Sequence, residues 1–213
     1  MSETLSGFIH RYEPARTAGS PTLLMLHGTG GDETDLLALG RELAPGAGLL
    51  SPRGRVLERG MPRFFRRFAE GVFDVEDVRR RAHELAAFVG EAVLQYQLDA
   101  DSIYAVGFSN GANIAGAVML LEPRTLRGGV LLRAQPVIAP EEAPRLGGRS
   151  ALLAAGLRDP IVPATETERL AAALRDAGAD VTMHWADAGH HLTASDVNTA
   201  REWLAQRFSS LAR

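Results

Sequence analysis

Along this chain, short apolar runs alternate with longer stretches in which apolar residues recur at helical spacing, and that alternation points to an α/β fold with a mostly parallel sheet wrapped by helices. Thr22 to Leu26 (TLLML) reads as a buried strand ending at His27-Gly28. Asp32 to Leu43 carries leucines at 36, 37, 39 and 43, with acidic residues at its start where the helix dipole favours them. Leu49 to Ser51 reads as a short strand and Pro52 to Phe73 as an irregular stretch. Val75 to Tyr96 is a long amphipathic helix with Val78, Leu85, Phe88, Val89 and Ala92 on one face. Ser102 to Phe108 is the next strand, and Asn110 to Leu121 a helix rich in small residues. Gly128 to Leu132, Ala151 to Ala155 and Val181 to Trp185 supply three further strands. Thr165 to Ala177 and Leu192 to Phe208 supply the remaining helices, and Gly7 to Tyr12 an edge strand. No break in composition divides the 213 residues, so the expectation is one domain over 1–213.

The residue inventory removes whole classes of chemistry. There is no cysteine, which excludes thiol nucleophiles, disulfides, thiolate zinc sites and iron–sulfur clusters. All 23 basic residues are arginine, so Schiff-base, pyridoxal-phosphate and phosphate-loop lysine chemistry are unavailable. A formal net charge of −3 lacks the basic excess of a nucleic-acid binder. Met1 to Arg16 has no apolar signal core, and no run approaches the ~20 apolar residues of a membrane span. The expected location is the cytoplasm, with neither nucleic acid nor membrane as a partner.

Gly107-Phe108-Ser109-Asn110-Gly111 fits G-x-S-x-G and falls between a strand and a helix. At such a junction a serine sits on a sharp, strained turn that lifts its oxygen above the sheet, while flanking glycines remove side chains that would collide. The following helix directs its positive end and the Asn110 amide at the reacting centre. A serine hydroxyl needs a base, and the base an orienting carboxylate. Asp159 lies just past the strand Ala151 to Ala155, with Pro160 stiffening the turn. After the last strand come Asp187-Ala188-Gly189-His190-His191. His190, following Gly189, is the favoured base, with His191 the alternative. Asp187 and the two histidines match no metal-ligand spacing, so no metal is expected.

In order along the chain, Leu26-His27-Gly28-Thr29-Gly30-Gly31-Asp32-Glu33, Glu70-Gly71-Val72-Phe73-Asp74, Gly107 to Asn113, Asp159-Pro160-Ile161-Val162-Pro163 and Gly189-His190 resemble the phospholipase/carboxylesterase group of α/β-hydrolases, which includes esterases and acyl-protein thioesterases. The resemblance implies the α/β-hydrolase fold with helices on both faces of the sheet. It implies Ser109 as nucleophile, Asp159 as orienting acid, His190 as base, and an oxyanion hole from the N–H groups of Thr29 and Asn110. It also implies hydrolysis of a small-molecule ester through an acyl-enzyme without a cofactor, and a homodimer. The alternatives are a thioesterase with the same triad and a non-catalytic ligand-binding homologue.

Binding clues concentrate between residues 53 and 73. Phe64, Phe65, Phe68 and Phe73 are four of the chain's eight phenylalanines, and Arg53, Arg55, Arg59, Arg63, Arg66 and Arg67 face only Glu58 as local counter-charge. The expectation is that Phe64, Phe65 and Phe68 line an acyl or aromatic pocket, while Arg63 and Arg66 attract an anionic group. The segment from Arg133 to Arg149 holds three prolines and is too short for a helical lid. No cap domain and an open site for short or medium acyl groups follow.

Overall fold

The computed structural model describes residues 3–17, 19–140 and 144–211. The first elements are β1 (Glu3–Leu5), β2 (Phe8–Glu13), β3 (Thr22–Leu26), α1 (Leu37–Leu43) and β4 (Gly48–Pro52). Four short strands follow, β5 (Val56–Glu58), β6 (Met61–Arg63), β7 (Arg67–Ala69) and β8 (Val72–Phe73), and then the long α2 (Val75–Tyr96). The remainder is β9 (Ile103–Phe108), α3 (Asn110–Leu121), β10 (Gly128–Leu132), β11 (Ser150–Gly156), α4 (Ala164–Asp176), β12 (Asp180–Ala186) and α5 (Ala194–Leu211).

Eight strands form the central sheet in the order β1-β2-β4-β3-β9-β10-β11-β12. From β4 to β12 every neighbouring pair is parallel; β2 runs antiparallel to both β1 and β4. The side-chain period of two divides each inner strand between two cores. Leu24 and Leu26 of β3, Ala105 of β9 and Leu153 of β11 join one core with Leu85 and Phe88 of α2, Ile114 of α3 and Leu170 of α4. Leu23, Met25, Val106 and Leu152 point the other way, onto Leu37 and Leu43 of α1 and Trp203 and Leu204 of α5. Helices therefore cover both faces, which is why the inner strands read as unbroken apolar runs.

Three stretches differ from the sequence reading. Residues 32–36 form a turn rather than the first part of α1, because the Asp32 carboxylate accepts the Thr34 N–H at 2.7 Å and its hydroxyl at 2.6 Å. The strand expected at Gly7 to Tyr12 is β2, which starts at Phe8 and is not an edge, since β1 pairs outside it. The stretch from Pro52 to Phe73 contains two small antiparallel hairpins, β5–β6 and β7–β8. The first turns at Arg59 and Gly60, both at positive φ (52° and 83°), a type I′ geometry with arginine where asparagine or aspartate is the usual signal. Between β10 and β11 the described residues contain no helix, and among the described residues no helix is long and apolar enough to cross a membrane.

Candidate active site

After β3 the chain steps outward to β4, and it later returns across β3 to lay down β9. The crevice where the winding reverses, at the carboxyl ends of β3 and β9, is where open α/β sheets bind ligands. Ser109 stands at the end of β9 with φ 51° and ψ −114°, a positive-φ conformation that non-glycine residues rarely adopt. Its N–H donates to Leu132 O at 2.9 Å and its carbonyl accepts the Asn113 N–H at 2.9 Å, so strand β10 and the first turn of α3 hold the strained turn from both sides. The flanking glycines are steric requirements. A Cβ on Gly107 would lie 2.6 Å from Gly111 O, and one on Gly111 would lie 2.0 Å from Leu26 O.

The loops after β11 and β12 bring two more side chains to that turn. His190 Nε2 lies 2.9 Å from Ser109 Oγ, and His190 Nδ1 lies 2.8 Å from Asp159 Oδ2. With Nδ1–H donating to the carboxylate, Nε2 is left as an acceptor for the serine proton. The second carboxylate oxygen of Asp159 accepts the N–H groups of Ile161 (2.8 Å) and Val162 (3.0 Å), which fixes its orientation. The Asp159 side chain is 1 % exposed and that of His190 19 %, so the acid is buried while the imidazole reaches the crevice. The Phe108 ring packs against the imidazole at a centroid distance of 5.3 Å. His191, the other histidine, is exposed. Such a line can move a proton from serine to imidazole while the carboxylate stabilises the resulting cation.

Thr29 lies in the loop after β3. Its neighbours' N–H groups are used, Gly30 donating to Pro62 O at 2.9 Å and Gly31 to Gly28 O at 3.2 Å. Asn110 opens α3, where the first N–H groups have no intrahelical acceptor. Its side chain is engaged elsewhere, with Oδ1 accepting the Phe64 N–H at 2.7 Å. His27 ties the Thr29 loop to the following segment, Nδ1–H donating to Gly28 O at 2.6 Å and Nε2 accepting the Gly54 N–H at 2.9 Å. Burial pushes the His27 imidazole below its ordinary range, so it stands neutral.

The expected substrate-side residues are placed unevenly. Phe64 and Phe65 are 3 % and 0 % exposed and belong to the core rather than to a pocket wall. Phe68 is 71 % exposed on β7. Arg63 is buried, with Nη1 donating to Thr29 Oγ1 at 2.6 Å, Nε to Phe65 O at 3.3 Å, and Glu58 at 3.2 Å; burial pushes its guanidinium below the usual range. Arg66 is exposed and pairs with Asp74. Arg53, Arg55 and Arg67 find Glu33, Glu84 and Glu70, all from outside the 53–67 segment. Five of the six arginines of this segment are therefore paired with carboxylates in three dimensions.

A groove of about 700 Å³ opens beside the Asp159 loop, lined among others by Phe73, Val75, Val137, Ile138 and Ile161. Of these, Phe73 and Ile161 fall in stretches that stand out in the sequence, and Val137 and Ile138 do not. Arg133 and Asp196, which hold the His190 loop, carry no functional motif; the capping-box spacing Thr193-Ala194-Ser195-Asp196 is the one linear signal for the second. Among the described residues no group of three or more His, Asp or Glu is placed to hold a metal ion.

The sheet order, the strained turn at Ser109 and the hydrogen-bonded line together define a protein of the α/β-hydrolase class. The chain belongs to the phospholipase/carboxylesterase family, whose model matches residues 10–207. It is similar to a carboxylesterase from Bacillus cereus of known structure, with 44% identity, a TM-score of 0.92, and 94% of this chain and 95% of that chain covered. A carboxylesterase from Mesorhizobium loti is 33% identical, with a TM-score of 0.89 and 96% and 98% of the two chains covered. MhqD of Bacillus subtilis (strain 168), provisionally named a hydrolase, is 44% identical over 197 residues, 92% of this chain and 98% of its own length.

Proposed function

We propose that the protein is a serine carboxylesterase that cleaves carboxylic esters of short to medium acyl or small aromatic groups through an acyl-enzyme on Ser109. The observation that carries this reading is the continuous line Ser109–His190–Asp159, with both hydrogen bonds under 3 Å. Ser109 Oγ attacks the ester carbonyl carbon while His190 Nε2 takes its proton, and Asp159 stabilises the imidazolium. The N–H groups of Thr29 and Asn110 receive the oxyanion; losing one such donor costs about 3 kcal/mol of transition-state stabilisation. The tetrahedral intermediate expels the alcohol, which takes the proton from His190. Water then attacks the acyl-enzyme with His190 as base, releasing the acid and restoring the serine. No step draws on a cofactor.

The groove beside Ile161 supports an apolar acyl or aromatic group, and the absence of a helix over the described part of 133–149 supports an open site. A panel of nitrophenyl esters and thioesters of increasing acyl length tests the reading. Wild type should turn over short and medium esters, and Ser109→Ala should fall to background. Equal turnover by the two proteins rules out the serine mechanism, and a marked preference for thioesters would move the assignment to a thioesterase.

A further inference from the structure

Directly after β10, Arg133 turns back into the protein with a left-handed backbone (φ 58°) and a fully buried side chain. Asp196 holds its guanidinium in a two-pronged pair, Nη1 to Oδ1 at 3.0 Å and Nη2 to Oδ2 at 2.7 Å. The guanidinium's other bonds go to backbone. Nε donates to Gly189 O at 3.1 Å, Nη2 to His191 O at 2.8 Å and Nη1 to Ala154 O at 3.1 Å. Gly189 and His191 are the two neighbours of His190, so one planar group grips the chain on both sides of the imidazole. The Arg133 N–H also donates to Ala154 O at 2.8 Å, on the strand that leads to Asp159. Asp196 is itself fixed at the head of α5 by the Thr193 N–H and hydroxyl, each at 2.8 Å.

We propose that Arg133, braced by Asp196, is a positioning residue that sets His190 between Ser109 and Asp159. This rests on the serine-hydrolase reading above. As a purely structural device the arrangement is costly: a buried ion pair is often no more stable than apolar residues of the same volume, and a left-handed arginine is strained. What an apolar replacement cannot supply is donors for the two carbonyls beside His190. Catalytic geometry tolerates errors of only about 0.5 Å, and a displacement of about 1 Å can cost about 100-fold in rate. The neutralising Asp196 also keeps the arginine from opposing the positive charge that His190 acquires during turnover. Burial pushes the Asp196 carboxyl up, but the bonds from Arg133 and Thr193 outweigh it and hold it below the usual carboxylate range, so the pair is ionised.

The test compares wild type, R133K and the double variant R133M/D196N, which removes both charges and keeps an acceptor for Thr193. Melting temperatures are recorded, active serines are counted by titration with a fluorophosphonate, and kcat and KM for a short nitrophenyl ester are expressed per titrated serine. The expected result is a folded double variant with kcat per site down by about 100-fold and KM changed less than about threefold, with R133K intermediate. Should the double variant fail to fold, R133K carries the same measurement. A folded variant with near-wild-type kcat per titrated site overturns the proposal, as does a rise in KM alone. Should wild type not be labelled at Ser109, the underlying hydrolase reading has failed, and the positioning proposal falls with it; labelled wild type with unaffected Arg133 variants overturns the positioning role only.

Discussion

Asp159 is divided between two duties, one oxygen on the His190 imidazole and the other on two backbone N–H groups of its own loop. Replacing it by asparagine keeps the size but presents an amide that can favour the wrong imidazole tautomer, so Asp159→Asn should lower kcat by about 10⁴-fold in steady-state assays while the melting temperature moves little. His27 gives a residue-scale prediction of a different kind. Its folded-state pKa is lowered, first by burial, so the unfolded chain binds the proton more readily. The stability it contributes is complete above the ordinary imidazole value of about 6.5 and is lost as pH falls from there towards the lower folded value. Melting temperatures from pH 7.5 down to 5 should decline in the wild type and decline less in His27→Asn. Ser109, Asp159 and His190 can be picked out along the chain because their order and their places at strand ends are linear features. Arg133 cannot, nor can the buried role of Arg63: their partners are mostly carbonyls, hydroxyls and carboxylates that only the folded backbone brings near.

At the scale of elements, the β9–α3 junction holds the closest approach found at any glycine of the chain. Gly111→Ala would put a methyl carbon 2.0 Å from the Leu26 carbonyl oxygen, with no flexible side chain to give way. Overpacking of this kind costs about 1–3 kcal/mol, and at this chain length each kcal/mol lowers the melting temperature by roughly 2–4 °C. Gly90, exposed in the middle of α2 with nothing within 4 Å of an added Cβ, is the contrast. Gly90→Ala should stabilise by about 1 kcal/mol through helix propensity, and calorimetry on the two variants should show shifts of opposite sign. Both the strand–helix alternation and the bounds of α2, α3 and β10 followed from apolar periodicity. The two hairpins did not, since strands of two or three residues are too short to show a period and the Arg59-Gly60 turn lacks the usual residue pair. That lost geometry matters for the site: the β5–β6 hairpin delivers Pro62 O to Gly30 and Arg63 to Thr29.

Over the whole molecule, two apolar cores on opposite faces of one sheet leave the carboxyl ends of β3, β9, β11 and β12 free to carry chemistry on their loops. Arg63 and Arg66, expected to attract an anionic group, are paired with Glu58 and Asp74, and Arg53, Arg55 and Arg67 with Glu33, Glu84 and Glu70. Neutral and acidic esters of equal size should therefore give similar kcat/KM, with little dependence on ionic strength. On the proposed mechanism, the hydroxyl of Ser109 becomes a nucleophile because the fold brings His190 to it. Intact-mass and peptide mapping after incubation with a fluorophosphonate tests this most directly. One adduct is expected, on Ser109, forming far more slowly in His190→Ala and absent in Ser109→Ala. An adduct on another residue, or labelling at an undiminished rate without His190, would contradict it.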